Sequence, residues 1–133
     1  MIVDGATVGE IGSGALVLLG IELGDTEAAV DRLAQRIASF RMFRDAEGRM
    51  NRAVGEIGGS ALVVSQFTLC ADVHKGRRPS FGGAEAPDRA ARLVERFVAV
   101  LVGRGVPTAT GSFGALMQVE LTNDGPVTFV FAE

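Results

Sequence analysis

Two short stretches hold most of the residues whose types and order suit chemistry. Ser65-Gln66-Phe67-Thr68 supplies two hydroxyls and an amide at the polar end of an apolar run, and Asn123-Asp124-Gly125-Pro126-Val127-Thr128 supplies a Gly-Pro pair ahead of a second run. Gly125 has no Cβ, so its carbonyl can approach a ligand closely, and the bond before a proline is where a cis peptide is tolerated. Conventional side-chain catalysis is poorly supplied. His74 is the single histidine and Cys70 the single cysteine. A Ser-His-Asp triad would have to draw its imidazole from a loop, and a Cys70–His74 dyad shares that weakness. A lone cysteine more often packs as a small hydrophobe, the two residues cannot by themselves anchor a zinc cluster, and no carboxylate pair stands at a revealing spacing.

The run His74-Lys75-Gly76-Arg77-Arg78 concentrates positive charge in a chain of net charge −3. It reads either as a solvated loop or as a phosphate contact. The overall charge gives no pull toward nucleic acid, so the second reading needs support from elsewhere. A length of 133 residues fits one domain, here 1–133. No unbroken apolar run approaches the ~18 residues of a membrane span. Residues 1–20 carry neither a basic start nor a continuous apolar stretch of the secretory kind. The expectation is a reduced, cytoplasmic protein with no cofactor, no metal and no membrane partner.

The elements that must position these residues follow from periodicity. Thr7 to Ile11 and Ala15 to Leu19 read as strands joined through Gly12-Ser13-Gly14 in a hairpin-type connection. A dinucleotide fingerprint at those glycines fails, because Val17 stands where a third glycine is needed and no helix opens there. Asp25 is placed to cap a helix running to Ser39, with Val30, Leu33, Ala34 and Ile37 as its buried stripe. Phe40 and Met42 begin a strand that ends at the turn Asp45-Ala46-Glu47-Gly48. Ala61 to Leu69 reads as a central strand. A second helix opens at Pro87 and closes around Gly103 to Gly105, its stripe being Ala90, Leu93, Val94, Phe97 and Leu101. Alternation marks strands at Met117 to Leu121 and Val127 to Phe131. Many strands and two helices predict an α+β domain, mostly antiparallel and barrel-like.

Taken together and in this order, the two stretches resemble the D-aminoacyl-tRNA deacylase family, of the D-tyrosyl-tRNA deacylase type. The likeness extends through GEIGSGALVLLG (9–20), FRDAEGRMN (43–51), KGRRPSF (75–81) and GSFGALMQV (111–119), so it covers nearly the whole chain. It implies a cytoplasmic homodimer, without cofactor, that hydrolyses the ester joining a D-amino acid or a mischarged glycine to the terminal adenosine of tRNA. Carried over by position, Ser65, Gln66, Phe67 and Thr68 line the catalytic pocket. Gly125 and Pro126 become a Gly-cis-Pro filter that reaches into the partner subunit's pocket and rejects L-amino acids. Lys75, Arg77, Arg78, Phe113, Met117 and Asn123 become contacts to substrate or tRNA. The adenosine 2′-OH competes with Thr68 for the role of activator.

The family pattern usually begins about a dozen residues earlier, with a strand containing Gln-Arg-Val that braces the Gly-Pro loop, whereas here the sequence opens at Met1-Ile2-Val3-Asp4. A late start placement is the expected explanation, because losing a strand would bare a sheet edge. Two other readings stand beside the enzyme. One is a non-catalytic dimeric nucleic-acid-binding module using the basic loop. The other is a related proofreading deacylase with the Gly-Pro bond in trans.

Overall fold

In the computed structural model, which describes residues 1–132, the strands are Ile2–Val3 (β1), Ala6–Thr7 (β2), Gly14–Leu19 (β3), Phe43–Arg44 (β4), Met50–Arg52 (β5), Ser60–Ser65 (β6) and Thr108–Thr110 (β7). The helices are Glu27–Ser39 (α1) and Pro87–Gly103 (α2), and a 3-10 turn covers Phe67–Cys70. The main sheet runs β3-β6-β7, and both pairings are parallel. Antiparallel ladders among the described residues are the small β1–β2 and β4–β5 hairpins, with isolated antiparallel bridges at Ile2–Gln118, Glu22–Ala84 and Asp72–Ser80.

The expected mostly antiparallel, barrel-like sheet is therefore corrected, and with it the hairpin through Gly12-Ser13-Gly14. The physical reason lies in β6. Ala61, Leu62, Val63 and Val64 are all buried, so the strand shows apolar side chains to both faces. That continuous run belongs to a parallel strand covered on both sides. Parallel neighbours need long crossovers, which α1 and α2 provide. Two successive right-handed crossovers stepping the same way across a sheet leave their helices on one face, and α1 packs on α2.

The core is accordingly divided by the sheet. On the helical side Val63 and Ala61 pack with Val30, Ala34, Ile37, Leu93, Phe97 and Leu101. On the other side Leu62 and Val64 pack with Met1, joined by Ile11, Leu16, Met117 and Val119. The helix stripes match their expected positions, Leu33 being half-buried against the cluster rather than enclosed. The cap of α1 moves by one residue. Thr26 Oγ1 accepts from the Ala29 N–H at 3.1 Å, while the Asp25 carboxylate accepts from the Glu22 N–H at 2.7 Å and shapes the preceding turn.

Several strands come out shorter than the sequence pattern implies, and Thr7 to Ile11 keeps only Thr7, the end of β2. Phe40 and Met42 lie outside any strand, and of the expected segment only Phe43–Arg44 pairs, as β4. Met117 to Leu121 keeps the inward alternation of Met117 and Val119, yet its ladder is reduced to a single bridge between Ile2 and Gln118. Val127 to Phe131 forms no ladder among the described residues, and docks instead through Phe129 and Phe131, both edge-on to Phe40 at 5.2 and 5.0 Å between ring centroids. Alternation reports which side of a segment is apolar; a strand also needs a neighbour offering backbone groups in register.

The helices are clamped to each other by charge. Arg96 donates from Nε to Asp31 Oδ1 at 2.7 Å and from a second nitrogen to Oδ2 at 2.8 Å. Hydrogen bonding from Arg96 holds the Asp31 carboxyl below its ordinary range, and the Arg49 and Glu47 N–H groups do the same for Asp45. A carboxyl depressed in the folded state stabilises the fold above its unfolded pKa and loses that effect as pH falls through the folded value. The melting temperature should therefore drop on acidification below about pH 4. Asp31→Asn should make that acid limb shallower, at the cost of a small decrease at neutral pH. Thermal denaturation followed by circular dichroism across pH checks this; an unchanged acid limb would exclude Asp31 as a contributor.

Candidate active site

β6 delivers Ser65 to the carboxyl end of the central strand, in register with Leu19 of β3. The Gln66 N–H continues the pairing to the Leu19 carbonyl at 2.8 Å, and the chain then leaves the sheet. The expected strand through Leu69 ends here and becomes the 3-10 turn, closed by Leu69 N–H to Gln66 O at 3.2 Å and Ala71 N–H to Thr68 O at 3.1 Å. Gly20 lies beneath this turn. A Cβ on it would stand 3.1 Å from both Cys70 Sγ and Leu69 Cβ and 3.3 Å from Gln66 O, so the turn settles against bare backbone.

The turn leaves donors unused. The first N–H groups of a helical turn have no acceptor within it, and among the described residues nothing accepts from Phe67 or Thr68 N–H. The Gln66 side-chain amide donates to Thr68 Oγ1 and so fixes that hydroxyl oxygen. No carboxylate or imidazole is hydrogen-bonded to Thr68 among the described residues. Cys70, the last residue of the turn, has its thiol pushed up by burial, with Glu22 and Asp25 acting in the same direction, which suits a packing role.

Ser65 also lines a cavity of about 30 Å³ with Val63, Val94, Thr110, Gly111, Ser112, Phe113 and Met117. Phe113 and Met117 are thus brought together with Ser65, although neither lies near it in sequence. A wider groove of about 490 Å³, lined by Arg36, Ser39, Phe40, Arg41, Met50 and Phe129, shares no residue with this cavity. It has an aromatic floor and none of the expected site residues.

The basic loop is tied to the turn. Asp72 and Ser80 exchange backbone hydrogen bonds of 2.7 and 2.9 Å, closing a neck beneath Lys75, Arg77 and Arg78. Asp72 Oδ1 accepts from the His74 N–H at 2.9 Å and lies 2.8 Å from His74 Nδ1. Those bonds, the backbone one first, hold the Asp72 carboxyl below its ordinary range. Sequence reasoning missed Asp72; its signal was an Asp two residues before the histidine, the spacing of an Asx turn. Sequence reasoning also missed that Phe81 comes to lie against Phe67.

Residues 123–128 form a self-braced loop. Asn123 Oδ1 accepts from the Val127 N–H at 2.9 Å and its Nδ2 donates to Thr128 Oγ1 at 3.1 Å. Asn123, expected as a substrate contact, therefore commits both ends of its amide to the loop. The Gly125–Pro126 peptide is cis, as the resemblance implies. Both residues are exposed, and no hydrogen bond among the described residues links the loop to Ser65–Thr68 of the same chain.

The family model described as D-Tyr-tRNA(Tyr) deacylase matches residues 1–132. A D-aminoacyl-tRNA deacylase of Shewanella baltica (strain OS155) is 55% identical over 129 residues, spanning 97% of this chain and 89% of the relative. One from Geobacter sulfurreducens is 56% identical over 128 residues, spanning 96% and 84%. Among solved structures, the c-Myc DNA Unwinding Element Binding Protein superposes with a TM-score of 0.87 at 36% identity, covering 95% of this chain and 86% of that one.

Proposed function

Because this chain belongs to the D-Tyr-tRNA(Tyr) deacylase family, a family of hydrolases acting on ester bonds, we propose that it hydrolyses the ester between a D-amino acid and the terminal adenosine of tRNA. The observation that carries this reading is the turn after β6, where the Phe67 and Thr68 N–H groups stand unused beside a hydroxyl with no base. Such donors suit the oxyanion that forms when an ester carbonyl is attacked, and one such donor is worth ~2.7–4 kcal/mol elsewhere. Ser65, Gln66, Phe67 and Thr68 line the reacting pocket in this reading, and Phe113 and Met117 complete its wall. With no side-chain base at hand, the adenosine 2′-OH activates the attacking water.

Gly125 and Pro126 serve as the chiral filter. Their loop is exposed and separate from Ser65–Thr68 within one chain, so it acts on the pocket of a partner in a homodimer. Exposed Leu116, Leu121, Phe129 and Val130 in the C-terminal third supply apolar surface for that association. A carbonyl held at the substrate α-carbon excludes an L side chain and leaves space for hydrogen, so selectivity comes from rejecting the wrong ligand. Glycine passes the same filter. The work is proofreading of aminoacyl-tRNA in the cytoplasm.

Incubation with D-Tyr-tRNA and with L-Tyr-tRNA, following release of tyrosine, tests this directly. The expected result is release from the D-ester alone. Release from neither, with tRNA binding retained, would support a second reading as a nucleic-acid-binding module. The DNA-element-binding name of a structural relative and the basic loop favour that one.

A further inference from the structure

The surface between the 3-10 turn and the basic loop carries two exposed aromatic rings, Phe67 and Phe81; the proposed reaction draws on the Phe67 backbone N–H and leaves both ring faces without a role. Phe67 is 57% exposed and Phe81 40% exposed, and their ring centroids lie 5.1 Å apart at 59°. Exposed Leu69 and Val73 extend the apolar area. Large apolar side chains left in water beside one another call for an occupant.

The backbone beneath both rings is held. Phe67 stands on the 3-10 turn. Phe81 follows the Asp72–Ser80 neck directly, its carbonyl accepts from the Ala84 N–H at 3.1 Å, and Leu23 N–H to Gly83 O at 2.8 Å pins the next turn to the body of the protein. A ring carried on held backbone has less freedom to lose when something docks on it.

Charge names the occupant. Lys75, Arg77 and Arg78 rise from the same neck, and among the described residues none is paired with a carboxylate. Aromatic faces set beside unpaired cations are how single-stranded nucleic acid is held: bases stack while the cations follow the phosphates. The platform also adjoins Gln66 and Thr68, where the ester would lie. We propose that Phe67 and Phe81 form a stacking platform for an unpaired nucleobase of the single-stranded 3′ end of tRNA, with Lys75, Arg77 and Arg78 on the adjoining phosphates. This rests on tRNA being the substrate, and it assigns to the aromatic pair a role separate from catalysis and chirality.

Stacking and phosphate contacts separate by their response to salt. Affinity is measured for uncharged tRNA, and for a single-stranded RNA carrying 2-aminopurine whose fluorescence reports stacking. Phe81→Leu should weaken both by about tenfold and abolish the fluorescence change, leaving the slope of log Kd against log salt unaltered. Phe81→Trp should restore both. Replacing Arg77 and Arg78 together with Ala should instead flatten that slope by about 1.4, two charges at ~0.7 each.

Unchanged RNA affinity in Phe81→Leu would overturn the platform. So would a shift of Phe81→Leu to a smaller species in sedimentation with RNA binding intact, which would make the ring pair a contact between copies of the chain. The outcomes distinguish this inference from the activity it rests on. Normal D-Tyr-tRNA hydrolysis with RNA affinity insensitive to Phe81 refutes the platform alone. No hydrolysis by the wild type, with affinity lost in Phe81→Leu, refutes the activity and retains the platform.

Discussion

D-Tyr-tRNA ending in 2′-deoxyadenosine is expected to be deacylated at least ~10²-fold more slowly than the ribose form, the scale on which a positioned proton-transfer group acts, whereas Thr68→Val should keep part of the wild-type rate. A hydroxyl nucleophile needs a base to take its proton. The oxygen of Thr68 instead accepts a hydrogen bond from the Gln66 amide. That contact orients the side chain and occupies a lone pair, which is the opposite of activation. The imidazole of His74 lies against Asp72, with Nδ1 2.8 Å from Oδ1. The group left to relay a proton is the one the substrate brings. Single-turnover rates with the two tRNA forms and the two proteins make four measurements. A dead Thr68→Val enzyme together with a normal deoxy substrate would require the opposite mechanism.

Gly125→Ala is expected to lower kcat/KM on D-Tyr-tRNA by about 10²-fold, the cost of a displacement near 1 Å at a reacting centre, with the melting temperature almost unchanged. Gly125 has φ +139, and a Cβ there would stand 2.7 Å from Val127 Cγ2 and 3.0 Å from the Val127 nitrogen. One of these atoms is backbone and the other belongs to a β-branched side chain with little rotamer freedom. Neither can step aside cheaply, so the loop itself must move. The loop is exposed and contributes no residue to the buried core around Phe97 and Leu101, which leaves the fold unharmed. The ratio of D- to L-ester hydrolysis should shrink as well. Kinetics on both esters together with a melting curve decide it; wild-type turnover would remove the loop from the reacting centre.

How much of this was legible in the sequence depends on what each signal reports. The stripes Val30–Ala34–Ile37 and Leu93–Phe97–Leu101 gave the helices because a helix satisfies its own backbone, so one face of apolar spacing suffices. Strands were harder, since Met117 to Leu121 alternates faithfully and yet, among the described residues, finds only Ile2 as a bridge partner. Sheet direction was misread at Gly12-Ser13-Gly14, where a glycine cluster looked like a hairpin. The apolar run Ala61–Val64 was the better witness, because burial on both faces belongs to parallel strands. In the site, the order of Ser65 to Thr68 was plain, but its change from strand to 3-10 turn was not. That change depends on Gly20, a residue of another strand end, giving room beneath it. The pairing of Phe67 with Phe81 likewise spans a loop closed by backbone bonds that no side-chain pattern announces.

The bracing of residues 123–128 by Asn123 has a bearing on assembly. Both of its amide hydrogen bonds stay within six residues of chain, so the loop takes its form without help from whatever it meets. In the proposed homodimer each subunit then offers its neighbour a finished part, and joining the two spends little order on shaping it. A defect in that part damages the neighbour's pocket and spares its own. Mixing a chain defective at Gly125 with one defective at the turn after β6 would regenerate one whole site per hybrid pair, the complementation that genetics detects when two broken copies of one gene restore a function that neither has alone.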